Sequence, residues 1–287
     1  MSNKIDSILC QIDASDAIIF EGTISVLSVL SSDNSKILKI ILKQDPENRN
    51  IQKVLKSAKE KNIETEFFSS EELEELGKVI SDTKPYNLGR THGGIIAVIL
   101  KREFISPLEL INKLPKNPSR ATIAIIEGIE DPYNLGYAAR ALYTQGIDGL
   151  IIPERDFGFS ESIIEKASTG TFYKMPVAVF PNSSKDENAK INLIDLLKKE
   201  KYKIYCIDKK APANSKMKVN DIFDVKFNER TVFIIGGEKR GISKDFLNNA
   251  DEIVRIPYAK NFSHSLAAQT AATVISYEIH RQTRVKL

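Results

Sequence analysis

Short apolar runs that end in glycine- or proline-rich turns alternate with helix-periodic segments along most of this 287-residue chain. That alternation favours a mostly parallel sheet covered by helices, an α/β architecture. In the first third, 37–42, 63–68 and 93–100 read as strands, the last entered through Gly93 and Gly94. Segment 22–30 reads as a helix start after a turn. Segment 50–61 has helical spacing, with Ile51, Val54, Leu55 and Ala58 on one face. Ser69 and Ser70 before a run of acids mark another helix N-terminus. Pro107, Pro115 and Pro118 then break the pattern around a short helical stretch, 108–114. The expected organisation is an N-terminal α/β domain over 1–105, a linker over 106–119 and a second domain over 120–287. In that second domain, 121–126, 149–152, 175–180, 203–207, 231–235 and 252–256 read as strands. Segments 134–145, 160–168, 191–199 and 265–281 read as helices, and 181–190 as a surface loop.

Composition narrows the class. Apolar residues make up 42% and charged residues 28%, the balance of an ordinary globular protein. The net charge of +3 permits a nucleic-acid partner without requiring one. It divides as −1 over residues 1–118 and +4 over the rest, so an RNA site must come from clustering. Cys10 and Cys206 lack CxxC partners, which argues against a disulfide framework or thiolate zinc site and suits a reducing compartment. No apolar run approaches the ~20 residues needed to span a bilayer, and the first residues lack a signal-peptide pattern. A cytoplasmic location, without a membrane or metal partner, is expected.

Three loops carry the candidate chemistry. Residues 127–140 read EGIEDPYNLGYAAR, 234–241 read IIGGEKRG, and 256–266 read IPYAKNFSHSL. In the first, Asp131-Pro132 precedes a helix that carries Asn134 and, six residues later, Arg140. A helix N-terminus and an arginine suit a phosphate or a reacting ribose. Alone, such an arginine is more often a solvated helix residue. The second loop has Gly236 and Gly241 at P-loop separation, but Ile242 stands where the lysine should be, so a nucleoside triphosphatase reading fails. No GxGxxG follows a strand, which sets aside a nicotinamide or flavin site. By residues alone, the second loop equally fits a tight strand-to-helix turn and the third an ordinary helix entry.

Taken together, the order and spacing of these loops resemble the SpoU/TrmH family of SPOUT RNA methyltransferases. That resemblance implies a C-terminal SPOUT domain with a parallel sheet and a deep trefoil knot, plus a small N-terminal α/β substrate-binding domain. It implies S-adenosyl-L-methionine as cofactor and a ribose 2′-hydroxyl of RNA as acceptor, with 23S rRNA favoured over tRNA. It places Asn134, Arg140, Glu238 and Ser265 in the catalytic centre. Asp208, Gly236, Gly237, Gly241, Ile256 and Leu266 would lie at the cofactor. Arg90 and His92, in a sequence similar to the family's His-Gln-Gly, would contact RNA along with Arg140; a glycine turn with incidental polar residues fits them equally well. The resemblance also implies a homodimer with the last helix at the interface.

A guanidinium stays protonated in proteins, so Arg140 suits an electrostatic clamp rather than a general base. One departure stands out. The family's Ser-Leu-Asn-Val-Ser reads Ser265-Leu-Ala-Ala-Gln269 here, with Ala267 for the asparagine and Gln269 for the second serine. Either His264 or Gln269 compensates, or activity differs. The alternatives are therefore a tRNA ribose methyltransferase, a catalytically silent RNA-binding member, and a cofactor-dependent enzyme acting on a base or small molecule.

Overall fold

A computed structural model describes residues 3–15, 17–32, 35–83, 92–115, 120–155, 160–181, 188–212, 217–237 and 239–283. In chain order its elements are α1 (Asn3–Ser15), β1 (Ala17–Glu21), α2 (Thr23–Ser31), β2 (Ile37–Lys43), α3 (Arg49–Glu60), β3 (Thr65–Phe68), α4 (Ser70–Thr83) and β4 (Ile95–Leu100). They continue with α5 (Pro107–Lys113), β5 (Ala121–Ile126), α6 (Pro132–Thr144), β6 (Gly149–Pro153), α7 (Ser160–Ser168), α8 (Thr171–Lys174), β7 (Val177–Phe180) and α9 (Ala189–Lys199). The last are β8 (Lys203–Ile207), β9 (Val219–Asp221), β10 (Arg230–Ile235), α10 (Lys244–Asn249), β11 (Glu252–Arg255) and α11 (Ala268–Thr283).

The chain packs as two compact units, 1–103 with 157–174, and 104–156 with 175–287. In the first, four strands form a sheet in the order β1-β4-β2-β3. β2 and β3 are parallel, but β4 runs antiparallel to both β1 and β2. The mostly parallel sheet expected for this part of the chain is therefore corrected to a mixed one. The cause is local: Gly93 and Gly94 take positive φ (59° and 73°) and turn the chain back into the sheet's interior. β1 and β4 are almost wholly buried apolar strands. α1 and α4 supply Ile5, Ile8, Leu73, Leu76 and Ile80 to the core below them.

The same unit holds α7 and α8, which come from the middle of the chain. Their attachment is polar. Glu165 is fully buried; its carboxylate accepts from Ser28 Oγ (2.7 Å) and the Tyr173 amide (3.2 Å). Glu161, 1% exposed, accepts from the Arg102 amide (3.2 Å) and the Tyr173 hydroxyl. Burial drives the Glu165 carboxyl up from its ordinary 4.5 to about 7, against the lowering effect of its hydrogen bonds.

The second unit is built on a seven-stranded, wholly parallel sheet in the order β7-β6-β5-β10-β8-β11-β9. β5, near its middle, is buried at every residue, as expected of a parallel strand covered on both faces. The Pro107 stretch forms α5, whose N-terminus is closed by a Ser106–Glu109 capping box. Its Leu110 and Ile111 enter the second unit's core beside β7. α11 packs along α6. It begins at Ala268, three residues later than expected, because residues 265–267 still belong to the loop, where the Leu266 amide donates to the Tyr258 hydroxyl.

Candidate active site

The first loop leaves β5 at Glu127, whose amide donates to the Ile235 carbonyl at the end of β10 (2.9 Å). Asp131 caps α6, its carboxylate accepting from the Asn134 amide (2.8 Å), with Pro132 in the first turn. The Asn134 side chain is half-buried, and its Oδ1 accepts from Gln269 Nε2 at 3.1 Å. Arg140 lies on the exposed side of α6, and its guanidinium has no ion-pair partner among the described residues. Its charge is thus available to a ligand.

The second loop closes on itself. The Gly241 amide donates to the Gly237 carbonyl (2.9 Å), and the two residues form an isolated antiparallel bridge. A Cβ on Gly236 would collide with the Gly241 backbone, and one on Gly237 with the Gly128 backbone of the first loop. Both glycines are therefore demanded by close backbone approach. Glu238 falls outside the described residues.

A cavity of about 210 Å³ opens beside this loop, lined by Gly236, Gly237 and Gly241, by Ile207 and Asp208 after β8, and by Ile256, Ser265 and Leu266 of the third loop. It lies at the carboxyl ends of β8, β10 and β11, where open parallel sheets bind ligands. All six residues expected at the cofactor, and Ser265, thus line one cavity. Asn134 and Arg140 do not line it; Asn134 is tied to the third loop's helix through Gln269.

Two residues not singled out by sequence shape that cavity. The Tyr258 hydroxyl accepts from the Leu266 amide (2.9 Å), folding the third loop back on itself. Lys209 sits 4.5 Å from the Tyr258 ring centroid and donates to the His264 carbonyl, clasping the third loop to the β8 turn. His264 is exposed and touches Ser263 and the Phe262 ring, whereas Gln269 reaches Asn134. A second cavity of about 300 Å³ lies across the glycine loop. Its Glu127 carboxylate is held by the Ser243 amide (2.8 Å) and Lys190. Glu127 is the first residue of the 127–140 segment, which in the sequence marks the end of an apolar strand.

In the first unit, His92 lines a shallow basin with Lys43, Asn48 and Ser70. Its Nδ1 accepts from the Gly94 amide (2.9 Å), and burial holds its pKa below the usual histidine value. With Nδ1 turned to the Gly94 amide, Nε2 is the ring nitrogen left for another partner. Arg90 lies outside the described residues.

Residues 121–277, more than half of the chain, match the SpoU rRNA methylase family. The chain belongs to that family. Residues 19–80 match a second description, RNA 2′-O ribose methyltransferase substrate binding. This SpoU-family chain is thus an RNA 2′-O-ribose methyltransferase, and its family's methyl donor is S-adenosylmethionine. It is similar to a Staphylococcus epidermidis protein called a TrmH family tRNA/rRNA methyltransferase, 27% identical over 265 residues and covering 92% of this chain and 96% of that one. A Staphylococcus aureus protein of the same description is 26% identical over 246 residues, covering 86% and 89%.

Two solved structures share the fold. One is a crystal structure of an RNA 2′-O ribose methyltransferase, with TM-score 0.70, 17% identity and coverage of 98% and 96%. The other is the SpoU methyltransferase AviRb from Streptomyces viridochromogenes in complex with AdoMet, with TM-score 0.66, 19% identity and coverage of 94% and 92%.

The residues present fit the family's cofactor. Ile207, Ile256 and Leu266 offer apolar surface to an adenine, and the Asp208 carboxylate offers acceptors to a ribose diol. Gly236 and Gly237 let the second loop pass hard against the Gly241 and Gly128 backbones at the cavity's edge. Among the described residues, no group of three or more His, Cys, Asp or Glu side chains is placed to hold a metal ion. No helix among them is long and apolar enough to cross a membrane.

Proposed function

We propose that this chain transfers the methyl group of S-adenosylmethionine to a ribose 2′-hydroxyl of ribosomal RNA. The observation that carries the reading is the convergence of loops from distant parts of the sequence on one cavity at the carboxyl ends of β8, β10 and β11. The bound sulfonium supplies an electrophilic methyl group. What remains for the protein is positioning and charge stabilisation. Gly236, Gly237, Gly241, Ile256 and Leu266 would hold the cofactor, Asp208 its ribose, and Ser265 would face the reacting groups. Arg140, exposed and without an ion-pair partner among the described residues, would bind an RNA phosphate and favour the developing 2′-oxyanion while the proton leaves to water or to that phosphate. Glu238 would orient active-site groups. The first unit would carry the RNA through its His92 basin and Arg90.

Ribosomal RNA is favoured over tRNA by the family description and by the matched substrate-binding segment. A homodimer through α11 is supported by aromatic area left in solvent: Tyr133 and Tyr137 on α6 and Tyr277 on α11 are each at least half exposed. The return of α11 across the sheet to α6 is what a threaded, knotted C-terminus would require. A cytoplasmic location is supported by Cys10 and Cys206, both free thiols.

A silent, RNA-holding member is the second reading, favoured by Ala267, which offers no amide where the family has one. The deciding experiment is methyl transfer from labelled S-adenosylmethionine to rRNA and tRNA from cells lacking this gene, with Arg140→Ala beside the wild type. Arg140-dependent label that blocks alkaline cleavage in rRNA is the expected result. Cofactor binding without label would favour the silent reading, and label in tRNA alone would overturn the choice of substrate.

A further inference from the structure

Position 269 departs from the family pattern, and it is also where α11 reaches α6. Gln269, in the first turn of α11, donates from Nε2 to Asn134 Oδ1 in the first turn of α6. A serine hydroxyl sits two bonds nearer its own backbone, so the substitution itself creates the reach. Around the bridge, Leu135, Ala138, Ala268 and Ala272 are buried, so neither helix is free to shift away. The Asn134 backbone is fixed as well, because its amide is spent on the Asp131 cap. Only rotation of the Asn134 side chain remains, and Gln269 restrains it.

That restraint has chemical content. With Oδ1 engaged by Gln269, the carboxamide of Asn134 keeps its Nδ2 hydrogens for another partner. Gln269 Oε1 is buried and has no hydrogen-bond partner among the described residues, so the glutamine orders Asn134 at a cost to itself. A group held in an unfavourable environment to order another matches preorganisation of a site. Ala267 has removed one amide from the start of α11, and Gln269 contributes another, two residues on.

We propose that Gln269 is a positioning residue of the methyl-transfer site, holding Asn134 so that its amide hydrogens face the acceptor ribose. This rests on the function proposed above. The test compares wild type, Gln269→Met, Gln269→Glu, Asn134→Ala and the Asn134→Ala/Gln269→Met double variant. Methyl-transfer kinetics, calorimetric S-adenosylmethionine affinity and the Asn134 side-chain amide resonance are measured for each. Methionine keeps the length and removes the bond. Glutamate can only accept, so it turns Asn134 round to present its oxygen.

Both Gln269 variants are expected to lose about tenfold or more in kcat, with cofactor affinity within about threefold of wild type. The double variant is expected to be no slower than Asn134→Ala alone, since the two act as one unit. Full kcat in Gln269→Met, additive losses in the double variant, or full kcat in Gln269→Glu would each overturn the inference. Absence of transfer by the wild type would instead overturn the function. In that case an Asn134 amide resonance unmoved by Gln269→Met would overturn the pairing too.

Discussion

Arg140 is exposed and has no ion-pair partner among the described residues, so its charge is available beyond the fold. Removing it should therefore slow chemistry without unfolding the protein. Arg140→Ala is expected to lower kcat by about 10²–10³-fold, the usual cost of deleting one oxyanion donor. Its circular dichroism and cofactor affinity should stay as in wild type, and the shape of the pH–rate profile should not change. A profile that lost a limb on substitution would make Arg140 a titrating base. Gly236 behaves oppositely. A Cβ there meets the Gly241 backbone, which cannot move aside as a flexible side chain would. Gly236→Ala should cost about 1–3 kcal/mol by overpacking and weaken S-adenosylmethionine binding, checked by denaturant melts and calorimetry. The gathering of the three cofactor-loop glycines at one cavity was legible in the sequence because each sits at a fixed offset in a loop motif. Gln269, Lys209 and Tyr258 were not legible in these roles, since each works through a partner on another element. Contacts such as Gln269 to Asn134 depend on how α11 lies against α6, which spacing along the chain does not encode.

At the scale of elements, α11 starts without a side-chain cap. The Ala267 carbonyl accepts from the Thr270 and Ala271 amides, so Ala267 occupies the capping place, and its methyl group accepts nothing. Asparagine is among the best residues there. Ala267→Asn should raise stability by about 0.5–2 kcal/mol, read as a higher denaturation midpoint with an unchanged slope. No change would mean the first amides of α11 already find water. The strands of the second unit were legible because parallel strands buried on both faces form unbroken apolar runs between turns. β9, with three half-buried residues, has no such run. The direction of β4 was hidden for another reason. Alternation of strand and helix specifies neighbours along the chain, while two positive-φ glycines decide which way the strand enters the sheet.

For the molecule as a whole, the buried acid cluster makes stability depend on pH. Glu165 titrates at about 7 in the fold and near 4.5 when unfolded, so the folded state favours its protonated form. Its stabilising contribution is complete below pH 4.5, falls as pH rises, and is gone above about 7. The loss is on the order of 3 kcal/mol. Hydrogen exchange of first-unit amides should show protection falling across that range, and Glu165→Gln should flatten the trend. A wild-type profile already flat from pH 5 to 8 would mean the carboxylate is ionised in the fold.

Residues 157–174 belong to the first unit although they lie between strands of the second, so the chain passes between the units three times. That limits how such proteins can recombine. A single crossover near residue 105 would import a foreign first unit while leaving Glu161 and Glu165 behind, separated from the Arg102 and Ser28 they were shaped around. A first unit of this kind can be exchanged intact only when its internal helices travel with it, so both segments must be followed together.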